Sequence, residues 1–396
     1  MKVLYLNAYG NGSTGRIIDS LKEECKKNNI ESISIFAREI CNTPETSIRC
    51  FNKMEFYIDA LFTRIFDNHG LNSVFNTGKI IRIIDDFYPD IIHIHNLHGY
   101  WINYRMLFRY IQKKNIKVVW TFHDCWNFTG HCTHFDYIGC DKWQRECKNC
   151  PQKSEYPSSV IFDRSRRNYL NKNEFFNSIN SMIIVTPSKW LSDVVKKSFL
   201  KGKDIRVINN GIDVTQFKFT DSDKRERIIS KGYERIILSV AGDWVEKKGL
   251  KYILEIAKRK NKWMFIIVGN LTTNNKHIVC NNIIYINRTE SIKELSEWYS
   301  AADVFINPTL EDNYPTTNLE AIACGTPVVT FPTGGSVEIV RETGYGKVAE
   351  EKSAMSLLEA VETLFINNIR DREYSHSLDA KVKFSEYIEL YKEIID

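Results

Sequence analysis

The sequence predicts an α/β protein made of two doubly wound, Rossmann-like halves. Three observations predict it. Short apolar strands alternate with amphipathic helices along the whole chain, the series is broken once by a polar stretch near residues 216–234, and 396 residues exceed one ordinary core. Runs such as VVWTF and MFIIVG are apolar throughout, as parallel strands covered on both faces must be.

Taken in order, MKVLYLNA reads as a strand. Gly10, Gly12 and Gly15 form a loop around Ser13 and Thr14, and a helix begins at Arg16. SISIF is a strand, helices cover Glu55–Phe66 and Thr77–Phe87, and IIHIH is a strand after Pro89-Asp90. Asn103–Lys114 is helical and VVWTF is a strand. A cysteine-rich insert at 131–151 follows, then the helix Asp163–Phe176, the strand MIIVT, a helix capped by Ser188, and IRVINNGID. The second series comprises RIILSVAG, a helix from Gly249, MFIIVG, IIYIN, the helix Ile292–Ala301, VFINP, another helix and VVTF. Phe384–Ile395 is amphipathic and helical. The domains this gives are 1–215 and 216–375, with a C-terminal helix in 376–396. Two such sheets imply a cleft between them, with ligands at the strands' C-terminal ends.

Composition narrows the class. No run approaches the ~20 apolar residues of a membrane span, and the N-terminus lacks the core and cleavage site of a signal peptide, so the expected location is cytoplasmic. The net charge of +5 is modest, and the basic residues gather at Arg105–Lys117 and Lys196–Arg206. These clusters read as solvated helix faces or as a peripheral contact with an anionic membrane, at about 1 kcal/mol per well-placed cation. Neither belongs to a nucleic-acid reading module, so no nucleic-acid partner is expected.

Six of the ten cysteines, Cys25, Cys41, Cys50, Cys125, Cys280 and Cys324, are scattered and read as small apolar residues. Cys132, Cys140, Cys147 and Cys150 are crowded and close on Cys-x-x-Cys. A structural zinc held by the four thiolates, with His131 and His134 as substitutes, is one reading; four unligated thiols is the other. Such a metal would have no open position and no chemistry.

The most informative stretch is ADVFINPTLEDNYPTTNLEAIACGTPVVTFPTGG. A strand ends in a loop carrying Glu311 and Asp312, a helix follows with Glu320 in its first half, and a second strand runs to Gly334-Gly335. Backbone N–H groups at such a helix start favour phosphate, and nearby carboxylates suit sugar hydroxyls. The loop therefore reads as a site for a nucleotide carrying a sugar. In GDWVEKKGLKYI, Lys248 precedes a helix start and is placed for diphosphate, with Lys247 beside it. Thr316 and Thr317 add N–H and hydroxyl donors, and Gly269 permits close backbone approach. Arg288 and Thr289 border the base by position alone. In the first half, His93 and His95 share a strand face and read as a hydrogen-bonded layer or metal ligands, His98 lies in the loop beyond, and His123 ends the next strand.

Asp312 and Glu320 within EDNYPTTNLEAIACGTPVV resemble the donor signature of family-4-type retaining glycosyltransferases, with Asp where Glu is commoner. The GSTGR loop, HNLHG and the cysteine insert resemble bacterial capsular, colanic-acid and O-antigen transferases. The resemblance implies a GT-B architecture in which the C-terminal helix crosses back onto the first domain. It implies transfer of a sugar from a nucleotide-diphosphate donor to a glycan or polyprenyl-linked acceptor. Lys248 would stabilise the departing diphosphate, Glu320 hold ribose, Asp312 contact the transferred sugar, and His123 bind a sugar hydroxyl or orient the acceptor. Gly12 would border the donor phosphates, and Ser13, Thr14 and His98 the acceptor. Asp243 stands where relatives carry an arginine. No DxD site is present, so the expected chemistry needs no cofactor or divalent metal. A sugar-nucleotide epimerase of the same fold, or a non-catalytic sugar-nucleotide-binding module, are the alternatives.

Overall fold

Alternating apolar runs and helical stripes give the chain two parallel sheets. The computed structural model describes residues 1–38, 44–272, 280–367 and 378–396. The chain divides into one unit of Met1–Asn209 with Phe384–Asp396 and a second of Asn210–Lys383. Cys41 lies outside the described residues.

The first unit runs β1 (Lys2–Tyr9), α1 (Gly12–Lys27), β2 (Glu31–Arg38), β3 (Ser47–Arg49), α2 (Lys53–Phe66), α3 (Val74–Phe87), β4 (Ile91–Ile94), α4 (Tyr104–Lys114), β5 (Lys117–Thr121), α5 (Ser165–Asn177), β6 (Met182–Thr186), α6 (Lys189–Val195) and β7 (Asp204–Val207). The sheet order is β3-β2-β1-β4-β5-β6-β7, parallel throughout. Helix α1 starts four residues before the expected Arg16, so Gly12–Gly15 form its first turn rather than a loop. Gly15 is required there, because a Cβ would sit 2.4 Å from the Gly10 carbonyl oxygen. Ser188 caps α6 as its sequence implies, its Oγ accepting the Leu191 N–H at 3.1 Å.

The second unit runs α7 (Lys224–Ile229), β8 (Arg235–Trp244), α8 (Leu250–Arg259), β9 (Trp263–Leu271), β10 (Ile283–Ile286), α9 (Ile292–Ala301), β11 (Val304–Asn307), α10 (Thr316–Ala323), β12 (Val328–Thr330), α11 (Ser336–Thr343), β13 (Gly346–Val348) and α12 (Ala354–Asn367). Its order is β10-β9-β8-β11-β12-β13, again all parallel. The polar stretch near residues 216–234, which separates the two series in the sequence, contains α7. Alternate strand residues feed two cores: Ile236, Leu238 and Ile266 on one face, Ile237, Phe265 and Ile267 on the other. That is why the strands are apolar without alternation.

The last helix, α13 (Ala380–Ile395), buries Phe384, Tyr387, Ile388 and Tyr391, and from Phe384 onward belongs to the first unit. Its Tyr391 hydroxyl meets Tyr5 Oη at 3.2 Å and His93 Nδ1 at 2.5 Å, and Tyr387 Oη meets Thr121 Oγ1 at 3.0 Å. No described helix is long and apolar enough to cross a membrane.

Candidate functional site

In each sheet the chain order reverses once, between β1 and β4 in the first and between β8 and β11 in the second. Loops leaving the C-terminal ends of strands on either side of such a reversal part from each other and leave room for a ligand. In the second unit these are the loops after β8 and β11. They carry the strongest sequence motifs.

After β8 the chain makes one tight turn over Glu246–Lys248 and enters α8 through Gly249, which has φ +74°. Any other residue there would place Cβ 2.1 Å from the Pro308 carbonyl oxygen, so glycine is dictated by the close approach of the two loops. The Leu310 N–H donates to the Lys247 carbonyl at 2.8 Å and fixes their register. Two ion pairs then bridge the loops: Lys248 Nζ to Asp312 Oδ2 at 2.8 Å, and Lys247 Nζ to Glu311 Oε2 at 2.9 Å. The pairs differ in setting. Asp312 is 22% exposed at its side chain and faces solvent, whereas Glu311 is 2% exposed.

Helix α10 begins directly beyond this loop. Pro315 occupies its N-cap and no side chain caps it, so its first N–H groups, at Thr316 and Thr317, belong to a dipole end carrying partial positive charge. Glu320, one turn in, is buried, and its Oε2 accepts the Tyr299 hydroxyl at 3.1 Å. The loop after β12 is tied to the same place, the Gly335 N–H donating to the Asn313 carbonyl at 2.7 Å. Cations, carboxylates and an uncapped helix start thus gather at one sheet edge.

The other second-unit candidates are not drawn into this group. Arg288 and Thr289 follow β10, the edge strand two places from β8, and Arg288 is exposed. Gly269 has φ +126°, and a Cβ there would lie 1.9 Å from the Ala241 carbonyl oxygen. Its close approach is to the neighbouring strand, where β8 shifts register between Val240 and Asp243. Asp243 pairs with Asn270, whose Nδ2 donates to Asp243 Oδ1 at 3.1 Å.

In the first unit, Gly12 and Ser13 are exposed on the first turn of α1. Thr14 Oγ1 accepts from Asn7 Nδ2 at 3.1 Å, and Asn7 Oδ1 accepts the Asn96 N–H at 3.1 Å. Asn7, buried at the reversal between β1 and β4, joins the two loops and carries no motif that singles it out. His93, His95 and His123 stack side by side, with ring centroids 4.4 Å and 5.1 Å apart. His95 Nδ1 and His123 Nε2 share a hydrogen bond of 2.8 Å, and His93 Nε2 meets Thr121 Oγ1 at 2.8 Å. The histidine layer is therefore hydrogen-bonded. His98 Nε2 lies 2.8 Å from Asp124 Oδ2, and its Nδ1 lies 3.2 Å from the Tyr156 hydroxyl. Asp124 escaped the sequence reading, although it directly follows His123 in TFHDCW. Burial raises the Asp124 carboxyl, but the neighbouring His98 imidazole and the Trp126 N–H outweigh it and hold the group at about 2.

Burial pushes His123 down to about 4, and His69, His93 and His95 well below the ordinary imidazole value. These rings stay neutral in the fold while an unfolded chain binds protons below about pH 6.5. Their contribution to stability is therefore full above about pH 6.5 and falls as pH drops toward 4, by roughly 3 kcal/mol for His123 alone. His131, which burial lowers but the 2.6 Å contact with Asp67 and further neighbours raise on balance, opposes this as one group against four. Urea midpoints at pH 7.5 and pH 5 check it; an unchanged midpoint rejects the neutral histidine layer.

The zinc expectation is corrected. Cys132, Cys140, Cys147 and Cys150 line one small pocket with His131, but among the described residues no group of three or more His, Cys, Asp or Glu is placed to hold a metal ion. The insert is organised by other contacts. Phe135 and Trp143 stack at 4.6 Å, Cys147 Sγ accepts the Gly130 N–H at 3.2 Å, and His131 is engaged by Asp67. Cys132 hydrogen-bonds Cys150, which lowers the Cys150 thiol to about 7 and raises its partner.

Comparison with known proteins agrees with the two sheets. Residues 15–216 match the family described as Glycosyltransferase Family 4, and 221–383 match Glycosyl transferases group 1. A protein of Escherichia coli (strain K12) named as a colanic acid biosynthesis glycosyl transferase, WcaC, is 27% identical over 68% of this chain and 66% of its own length. The N,N'-diacetylbacillosaminyl-diphospho-undecaprenol alpha-1,3-N-acetylgalactosaminyltransferase of Campylobacter jejuni is 25% identical over 56% of this chain and 62% of its own. The chain thus spans just under two thirds of each of these relatives. The crystal structure of Anabaena HepE in complex with UDP superposes with a TM-score of 0.65 at 14% identity, covering 99% of this chain and 100% of that one.

Proposed function

We propose that this chain, which belongs to glycosyltransferase family 4, moves a sugar from a nucleotide-diphosphate donor to a glycan or polyprenyl-linked acceptor, with retained anomeric configuration, in bacterial surface polysaccharide synthesis. Its fold is the α/β, GT-B kind. The observation that carries the reading is the pairing of Lys248 with Asp312 beside the uncapped start of α10, at the strand-order reversal of the second sheet. The named activities of the E. coli and Campylobacter relatives, and the UDP held by the Anabaena protein, support the donor and acceptor classes.

In this reading the second unit binds the donor and the first the acceptor. Lys248 and the α10 N–H groups receive the charge that develops on the diphosphate as its bond to the anomeric carbon breaks. The acceptor oxygen bonds to that carbon from the same face, and a diphosphate oxygen takes its proton. Asp312 contacts hydroxyls of the moving sugar, and Glu320, oriented by Tyr299, holds the ribose. His123, neutral at pH 7, positions an acceptor hydroxyl by hydrogen bonding. The chemistry proceeds without a divalent cation, and the protein works at the cytoplasmic face of the membrane.

A panel of nucleotide sugars tests this by thermal stabilisation and by nucleotide release with EDTA present. One donor is expected to raise the melting temperature and release its nucleotide only slowly without acceptor. Absence of stabilisation by every donor and every free nucleoside diphosphate rejects the proposal.

A further inference from the structure

Helix α2 is amphipathic in the wrong sense. Glu55, Asp59 and Thr63, spaced by four, form its buried stripe. Met54, Tyr57, Ile58, Leu61 and Phe62 form the outward stripe and are 71, 60, 44, 55 and 43% exposed. Their i, i+3, i+4, i+7, i+8 spacing is that of a core-facing surface, here turned to solvent.

The rotation is enforced from beneath. Glu55 accepts the Phe75 and Asn76 N–H groups, both at 2.8 Å, and so caps α3. Asp59 accepts from Ser73 Oγ at 2.6 Å, Asn72 Nδ2 at 2.9 Å and Thr63 Oγ1 at 3.2 Å. Rolling the helix to hide Leu61 would break the four bonds that leave it, to Phe75, Asn76, Ser73 and Asn72, and leave polar groups unpaired. The patch extends beyond the helix. Phe75, 77% exposed, follows from the cap. Val160–Phe162 runs along the other end, where the Val160 N–H donates to the Arg64 carbonyl at 2.7 Å and Phe162 stacks on Phe66 at 5.8 Å.

Charge selects the partner. Of the five charged residues from 47 to 66, both carboxylates, Glu55 and Asp59, are buried, while Arg49, Lys53 and Arg64 are exposed. Along α2 the apolar, aromatic face is about 20 Å long and its exposed charges are all cations, with the one exposed carboxylate of Asp163 beyond Phe162; this balance matches the headgroup boundary of an anionic bilayer. The basic clusters singled out by sequence are partly spent inside the fold. Arg105 and Arg109 lie over Phe175, Lys114 pairs with Asp85, and Arg206 pairs with Asp204 and Glu393.

We propose that α2, with Phe75 and Val160–Phe162, docks this protein on anionic lipid. The docking face extends the membrane location given above and does not depend on the transfer chemistry. The test is co-sedimentation of the full chain with phosphatidylglycerol-containing vesicles and with pure phosphatidylcholine vesicles. Wild type is expected on the anionic vesicles, less so at high salt. L61E/F62E is expected to lower binding about tenfold, and K53E/R64E to lower it on anionic vesicles only. Should L61E/F62E misfold, as judged by circular dichroism, L61W takes its place, with a blue shift of its emission on anionic vesicles expected. Wild type that ignores vesicles, a folded L61E/F62E that binds unchanged, an unshifted L61W, or a dimer that L61E/F62E dissociates without any vesicle binding, each overturns the proposal. Nucleotide-induced stabilisation is expected to be unaltered in these variants, so its loss in wild type strikes the transfer reading and leaves the docking face standing.

Discussion

Lys248→Ala is expected to lower turnover by roughly 10²–10³, about 3–4 kcal/mol of transition-state stabilisation, with little loss of stability. The ammonium sits on a turn pinned by the Lys248 N–H to the Val245 carbonyl at 2.9 Å, so its position is set before any ligand arrives. Its side chain is 35% exposed and its partner Asp312 22%, so the ion pair adds little to folding. Lys247→Ala is expected to behave in the opposite way. Its partner Glu311 is 2% exposed, and removing the cation takes the neighbouring countercharge from a buried carboxylate, so stability falls more than turnover. Steady-state kinetics beside urea denaturation separates the two. Unchanged turnover in Lys248→Ala removes the assigned role.

Truncation after Lys383 is expected to leave the first unit unfolded. It strips out Phe384, Tyr387, Ile388 and Tyr391, all buried. At about 1.5–3 kcal/mol per large apolar side chain the loss is roughly 6–12 kcal/mol, which matches the whole stability of a typical protein. It also removes the hydroxyl partners of Tyr5, His93 and Thr121. Tyr391→Phe keeps the packing and loses only the hydrogen bonds to Tyr5 and His93, so about 1–3 kcal/mol is expected. Circular dichroism and thermal melting decide; a truncated chain melting like the full one refutes the argument.

Much of the fold was legible because apolar runs report burial directly. Ile91–Ile94 and Val304–Asn307 are strands whose side chains have no wet face, and they were read as such. The start of α1 was not, because glycine and serine are poor helix formers and Gly12–Gly15 resemble a turn. Strand β3 has three residues, too few for any period to show. Asp312 and Glu320 were found by motif, but the salt bridge to Lys248, 64 residues away, comes from the order β8-β11 and not from local sequence. Asn7 acts through a tertiary contact and leaves no pattern. Helix α2 was found as a helix, yet which stripe points inward was decided by Ser73, Asn72 and the start of α3. The cysteine spacing suggested a metal; the insert is instead held by aromatic stacking and backbone bonds.

The two lysines of the turn after β8 each have an anion of the protein's own already in place. Lys247 and Lys248 face Glu311 and Asp312, so each ammonium is matched by a carboxylate across the loops. A small anion such as inorganic phosphate meets no bare positive hole and gains little by entering. In the proposed reading, a departing nucleotide diphosphate leaves behind no naked ammonium, because Asp312 already lies 2.8 Å from Lys248 Nζ. Under the proposed function, selectivity against simple anions and easy product escape are the expected consequences of this pair, at the expense of some affinity for the incoming donor.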